Sequence, residues 1–296
     1  MKLAKGFVPA LGTPLTKDGE LVVSGFKTQI EQQIKAGAVG LLAMGSMGQE
    51  AFIRDDVYPQ VAKAAIEAAA GRVPVFVGAM DTSIARVKRR IAPLEELAID
   101  ALVFTAPFYS VCNREQMMTF FTEVAKLTKH SIMIYDLPPV TQCKITYDMV
   151  LELIATVPNF IGIKSADTQM FRKLKLNPDV PKDFITVYSG LDTFDVSYAW
   201  GIDNCLDGML SCTPANTGKL FAALNRGDRE SAAVHMSNIV ALRDFFVVNK
   251  LWPSFTAAMN LLGCEGNFSP DYNPDVTPAL LETVRAEMVR IGELEA

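Results

Sequence analysis

Short apolar runs recur along this chain at intervals of about 20 to 35 residues, and between them the apolar residues fall at helical spacing. The runs are Phe7 to Leu11, Val39 to Met44, Val75 to Val77, Ala101 to Thr105, Ile132 to Tyr135, Phe160 to Ile163, Ile185 to Tyr188 and Leu206 to Leu210. They are rich in Val, Ile and Phe and do not alternate with polar residues, the pattern of strands buried on both faces. Eight such strands with intervening helices predict an α/β fold, a closed (β/α)8 TIM barrel, over residues 1–226. The alternative is an open doubly wound sheet, but no GxGxxG follows the first run, and Gly45-Ser46-Met47-Gly48 is neither that fingerprint nor a P-loop. The barrel is preferred.

Helices are predicted from Ser24, as cap, to about Ala36, from Asp55 and Asp56 to about Ala70, and over Ile84 to Leu97 with Pro93 as a kink. Others run from about Arg114 to Lys129 and from Tyr147 to Thr156. Beyond Asn225 the alternation stops. Residues 227–296 read as a C-terminal helical domain, with helices over about Glu230 to Val248 and Pro278 to Gly292 and a loop around Gly263 to Asn273.

A barrel gathers the C-terminal ends of its strands on one face, where barrel enzymes work. On that face the sixth run ends in Lys164, followed by Ser165, Ala166 and Asp167. A lone lysine at a strand end commonly snorkels to water. Held against apolar walls, the same amine is a nucleophile suited to attack on a ketone or aldehyde, giving an imine that acts as an electron sink. The barrel surrounds it with the Ser46 hydroxyl, the phenols of Tyr109 and Tyr135, the Asp192 carboxylate and the Ser211 hydroxyl. A phenol beside a cation can shuttle protons, Ser46 can pass them on, and backbone N–H groups of the Gly45 to Gly48 turn can hold a carboxylate. Each has a plainer reading: the tyrosines as packing, Ser46, Ser211 and Asp192 as helix caps. Their convergence at one barrel end favours catalysis.

Other classes are disfavoured. The net charge of −5 comes with no basic run, which argues against nucleic acid as a partner. Five scattered cysteines, never spaced as CxxC, argue against a disulfide framework or zinc cage and for a reducing cytoplasm. The opening apolar stretch is cut by Gly6, Pro9, Gly12 and Pro14, so it fails as a signal peptide, and no membrane span is expected. His130 and His235 lie in ordinary helical sequence and suggest neither a metal site nor a triad.

Several of these motifs, in order, resemble those of the dihydrodipicolinate synthase and N-acetylneuraminate lyase family, pyruvate-dependent class I aldolases on a barrel with a C-terminal helical domain. Gly12-Thr13-Pro14 resembles the family's first-strand end, Gly45-Ser46-Met47-Gly48 its G-[ST]-[ST]-G turn, and Tyr135-Asp136-Leu137-Pro138 with Thr141 its Y-N-x-P-x-x-T segment. Gly162-Ile163-Lys164 is similar to the motif of the imine lysine. The resemblance implies that Lys164 forms an imine with pyruvate, with no separate cofactor and no metal. It implies Tyr135 as acid/base, Ser46 as relay, and Tyr109 completing the relay from a neighbouring subunit in a homodimer or homotetramer.

Two departures bear on substrate. Val140 stands where the synthases carry a carboxylate-gripping arginine, and Met47 where they carry a threonine in the pyruvate-binding turn that begins at Gly45. Losing a charged hydrogen-bonding partner costs roughly 1.5 to 3 kcal/mol, which weakens the synthase assignment and leaves the imine chemistry intact. The expectation is a lyase or aldolase joining or cleaving pyruvate and an aldehyde, with a 2-keto-3-deoxy sugar acid as a candidate and Asp192 and Ser211 as contacts for its hydroxyls. The alternatives are 4-hydroxy-tetrahydrodipicolinate synthase, a dehydratase using the same imine, or a non-catalytic α-keto-acid-binding barrel. Asp136, in place of the family asparagine, has no assigned role.

Overall fold

The computed structural model describes residues 2–295. Eight strands form one parallel sheet in the order β1-β8-β7-β6-β5-β4-β3-β2. They are β1 (Gly6–Pro9), β2 (Leu41–Ala43), β3 (Val75–Gly78), β4 (Ala101–Thr105), β5 (Ile132–Tyr135), β6 (Phe160–Ser165), β7 (Ile185–Tyr188) and β8 (Asn204–Asp207). A parallel bridge from Ala10 to Leu42, with the Leu11 N–H donating to the Leu42 carbonyl at 2.9 Å, brings β1 against β2 and closes the barrel. Val8, Leu42, Phe76, Val103, Met133, Val187 and Leu206 fill its interior, so the centre is a packed core rather than a pore. The opposite strand faces pack against the helices in one continuous apolar layer.

The helices start where local chemistry caps them. Ser83, Thr146 and Asp167 each accept a backbone N–H at an N-terminus, and Asn113 with Gln116 forms a reciprocal capping box ahead of Arg114–Ala125. Some boundaries differ from the sequence expectation. Ser24 caps nothing: Val23–Lys35 starts one residue earlier, and the Ser24 hydroxyl reaches Glu265 at 3.3 Å. Tyr58–Ala69 begins after Asp55 and Asp56, because Pro59 favours the first turn, while Asp55 pairs with Arg89 at 2.8 Å. Pro93 marks a 3-10 turn, Ala92–Leu94, that ends the helix Ile84–Ile91. The last strand ends at Asp207 rather than Leu210, since the Asp207 carboxylate accepts the Met209 N–H at 2.9 Å and turns the chain into the short helix Met209–Cys212.

After Pro214–Arg226 come three further helices, Arg229–Val248, Leu251–Leu261 and Pro278–Arg290. Arg229–Val248 is long and apolar enough to cross a bilayer by length and composition, but its Met236, Ile239, Leu242 and Phe246 are buried against neighbouring elements. The C-terminal segment seals the β1 side of the barrel. A methyl group on Gly12 would lie 2.6 Å from Phe268 and 2.8 Å from Phe255, so only glycine lets both rings close over this strand end.

Candidate active site

Lys164 and Tyr135 meet at the C-terminal end of the barrel. They are register partners on β6 and β5, both face its interior, and both are buried, at 5% and 7% exposure. The lysine Nζ sits 3.9 Å from the centroid of the Tyr135 ring. This contact fixes the amine over the face of the phenol ring. Val187 flanks Lys164 on the β7 side and Thr105 flanks Tyr135 on the β4 side, giving the amine one apolar wall and one polar neighbourhood.

The turn after β2 is clamped into place. Met44 and Gln49, on either side of Gly45 to Gly48, both adopt left-handed backbone conformations, with φ of 53° and 60°. Thr13 donates from its hydroxyl to the Gly48 carbonyl at 2.7 Å, and Gln49 donates to the Thr13 carbonyl at 3.1 Å. The β1 end thus holds the β2 turn. Met47 is half-buried, and its side chain lies where any Cβ on Gly208, beyond β8, would stand. An apolar side chain therefore spans this part of the mouth. Ser46 is exposed and its hydroxyl makes no hydrogen bond among the described residues.

The remaining candidates lie outside this pair. Tyr109, in the loop after β4, is 99% exposed with φ +84°, and borders a cavity of about 650 Å3 with Phe108, Ser110, Cys112 and Val140. Val140 is exposed on the short helix Pro138–Thr141. Asp192 is held bidentately by Arg243, both bonds 2.7 Å, and the guanidinium keeps its carboxyl below the ordinary aspartate range. Ser211 is fully buried and donates to the Ala10 carbonyl at 2.8 Å, tying the segment after β8 to β1. A larger cavity, about 840 Å3, lies by the starts of β7 and β8 and includes none of these residues.

Two features of the site escaped sequence reasoning. One is the ring of groups around Asp136, which is 4% exposed and accepts hydrogen bonds from Ser165, Lys144 and the Ile145 N–H. The sequence signals of Asp136 were its adjacency to Tyr135 and its place in the position of the family asparagine. The other is Glu50, 3% exposed, whose Oε2 has no partner among the described residues. Burial pushes its carboxyl well up, against the pull of Arg90 and Lys164. Nothing in the sequence distinguished Glu50 from a surface glutamate.

The sequence pattern of the dihydrodipicolinate synthetase family matches residues 3–273. The chain belongs to that family. Family members are carbon–carbon lyases of the pyruvate-dependent class I aldolase type, and this chain is an enzyme of that type. Similar relatives include the 4-hydroxy-tetrahydrodipicolinate synthase of Agrobacterium fabrum, 28% identical over 80% of this chain and 81% of the relative. That of Rhodopseudomonas palustris is 26% identical over 98% and 97%. Among solved structures, a prophage protein of the dihydrodipicolinic acid synthase family from E. coli K12, in complex with pyruvate, superposes with a TM-score of 0.87 at 21% identity, covering 98% of this chain and 99% of that one. Dihydrodipicolinate synthase from Thermotoga maritima gives 0.87 at 20% identity, covering 99% and 100%. The structural likeness establishes the barrel with its C-terminal helices as the family fold.

Proposed function

We propose that this enzyme forms an imine between Lys164 and pyruvate and uses it to join or cleave a bond to an aldehyde. The observation that carries this reading is the buried amine of Lys164 held against the Tyr135 ring at the end of the barrel. The amine adds to the C2 carbonyl, and the carbonyl oxygen leaves as water, taking one proton from the amine and one from an acid, the role given to the Tyr135 phenol. Loss of a proton from C3 gives an enamine. Its C3 attacks the aldehyde carbon, the new alkoxide takes up a proton, and water then releases the product and the free lysine. Cleavage is the same path reversed. Backbone N–H groups of the turn from Gly45 to Gly48 hold the pyruvate carboxylate, with Met47 beside it, and no cofactor beyond the covalent imine is required.

Tyr109 supports a further element of the reading. Its near-complete exposure and left-handed conformation leave the Tyr109 phenol open to a neighbour, which fits a relay from Tyr109 through a partner's Ser46 to Tyr135 in a homodimer or homotetramer. Five free thiols support a reducing, cytoplasmic setting.

For the second substrate the favoured reading is an aldehyde derived from a 2-keto-3-deoxy sugar acid, because Val140 offers no cation for a second carboxylate. The names of the relatives favour a second reading, 4-hydroxy-tetrahydrodipicolinate synthase, in which aspartate semialdehyde is the aldehyde. The engagement of Asp192 by Arg243 and of Ser211 by Ala10 removes both as ready contacts for sugar hydroxyls, so hydroxyl recognition falls to other groups at the mouth. Turnover of a panel of sugar acids, with pyruvate detected as product, decides between the readings. Turnover with aspartate semialdehyde and pyruvate equal to the best sugar acid overturns the first.

A further inference from the structure

Asp136 is no isolated side chain: its N–H and both carboxylate oxygens are engaged by groups beside Lys164. Its N–H donates to the Lys164 carbonyl at 2.9 Å, extending the ladder between β5 and β6 by one rung. Its Oδ2 accepts from the Ser165 hydroxyl at 2.8 Å and from the Lys144 ammonium, and its Oδ1 accepts from the Ile145 N–H at 3.0 Å. The circuit then closes. Lys144 also meets the Asp167 carboxylate at 3.0 Å, and the Ser165 hydroxyl accepts the Asp167 N–H at 3.0 Å. Asp167 in turn caps the helix Thr168–Leu176, accepting the Met170 N–H at 2.8 Å.

We infer that Asp136 and Lys144 form an ionic brace that positions Tyr135 and Lys164 relative to one another. Asp136 is the residue after the phenol and Ser165 the residue after the amine, so a bond between them fixes the two strand ends in one register. Lys144 adds its own loop and, through Asp167, the first turn of the helix Thr168–Leu176 to the same unit. The carboxylate of Asp136 is almost wholly buried, whereas Lys144 is 42% exposed, so the ammonium is the removable half of the pair. Taking it away leaves a buried carboxylate without its counter-charge, which is far more disruptive than removing both charges together. Burial alone would lower the Lys144 ammonium, but its hydrogen bonds to Asp136 and Asp167 outweigh this and hold it above the ordinary lysine range. The Lys144 ammonium is thus held charged beside the Asp136 carboxylate.

The inference rests on the imine reading, and its test uses chemistry that needs no aldehyde. Enamine formation exchanges the C3 hydrogens of pyruvate with solvent, so NMR in D2O gives kcat and KM for exchange, while borohydride trapping counts the competent lysines. For Lys144→Met the expected result is a fall of about tenfold in kcat for exchange per trapped site, with KM for pyruvate changed by less than about threefold. Asp136→Asn, which keeps a polar partner for Ser165 and Ile145, is expected to fall similarly. The double variant, with neither charge left unpaired, is expected to regain thermal stability while exchange per trapped site stays as low as in the single variants, because the brace itself is gone. A purely structural role would lower thermal stability and the number of trapped sites but leave exchange per trapped site at the wild-type value. That outcome overturns the brace. Failure of wild-type protein to trap pyruvate at all overturns instead the imine reading beneath it.

Discussion

At the scale of single residues, the site depends on which charges burial tolerates. Lys164 is buried but has an aromatic face beside it, Asp136 is buried but has Lys144, and Glu50 is buried with Oε2 unmatched. Glu50 therefore behaves differently from the other two. Its folded carboxyl is raised well above that of the unfolded chain, so the folded state keeps a proton that the unfolded state releases as pH rises past the ordinary glutamate value. Stability attributable to this group is fully present at low pH and falls as pH rises toward neutrality. Glu50→Gln removes that titration. The expected result is a higher melting temperature than wild type at pH 7 and a smaller difference at pH 4, each kcal/mol appearing as roughly 2–4 °C. An equal difference at both pH values, read by calorimetry, would show that Glu50 is not the titrating group.

At the scale of elements, the turn after β2, proposed to hold the pyruvate carboxylate, is supported from β3. A methyl group on Gly78 would stand 1.9 Å from the Met44 carbonyl oxygen, and a backbone atom of a neighbouring strand cannot swing aside as a side chain can. Gly78→Ala must therefore displace the left-handed Met44 that opens the turn. Destabilisation of about 1–3 kcal/mol is expected, together with a rise of at least fivefold in KM for pyruvate exchange. A variant that loses stability with unchanged KM would show that β3 does not set the turn's geometry.

The elements also show what a sequence can and cannot reveal. Strand positions were legible because a strand buried on both faces must be continuously apolar, and β4 and β5 match that reading residue for residue. β8 did not, because Asp207 acts through one hydrogen bond to Met209 and ends the strand inside an apolar run. The Lys164–Tyr135 pair was legible because barrel topology alone brings strand ends together. The Asp136 circuit was not, since its members, spread from 136 to 167, become neighbours only through side-chain geometry. Ser211 and Asp192 show the same limit from the other side. Their chain positions suggest access to the mouth, yet their atoms are engaged by Ala10 and Arg243.

At the scale of the whole molecule, the loop after β4 leaves Tyr109 almost fully exposed. At 99% exposure its phenol is open to a second subunit, as the proposed relay requires. Subunit mixing tests this. Lys164→Ala and Tyr109→Phe protomers, each inactive or weak alone, are expected to regain exchange activity on mixing, because a mixed dimer holds one site with both groups intact. No regain on mixing, with dimers verified by native mass spectrometry, would place Tyr109 outside the relay.

The central claim is the covalent bond at Lys164, and borohydride reduction in the presence of pyruvate tests it most directly. Peptide mass spectrometry is expected to find a reduced pyruvate adduct on Lys164, absent from Lys164→Ala and from samples lacking pyruvate. An unmodified Lys164 in active, folded enzyme, or an adduct on a different lysine, would contradict it.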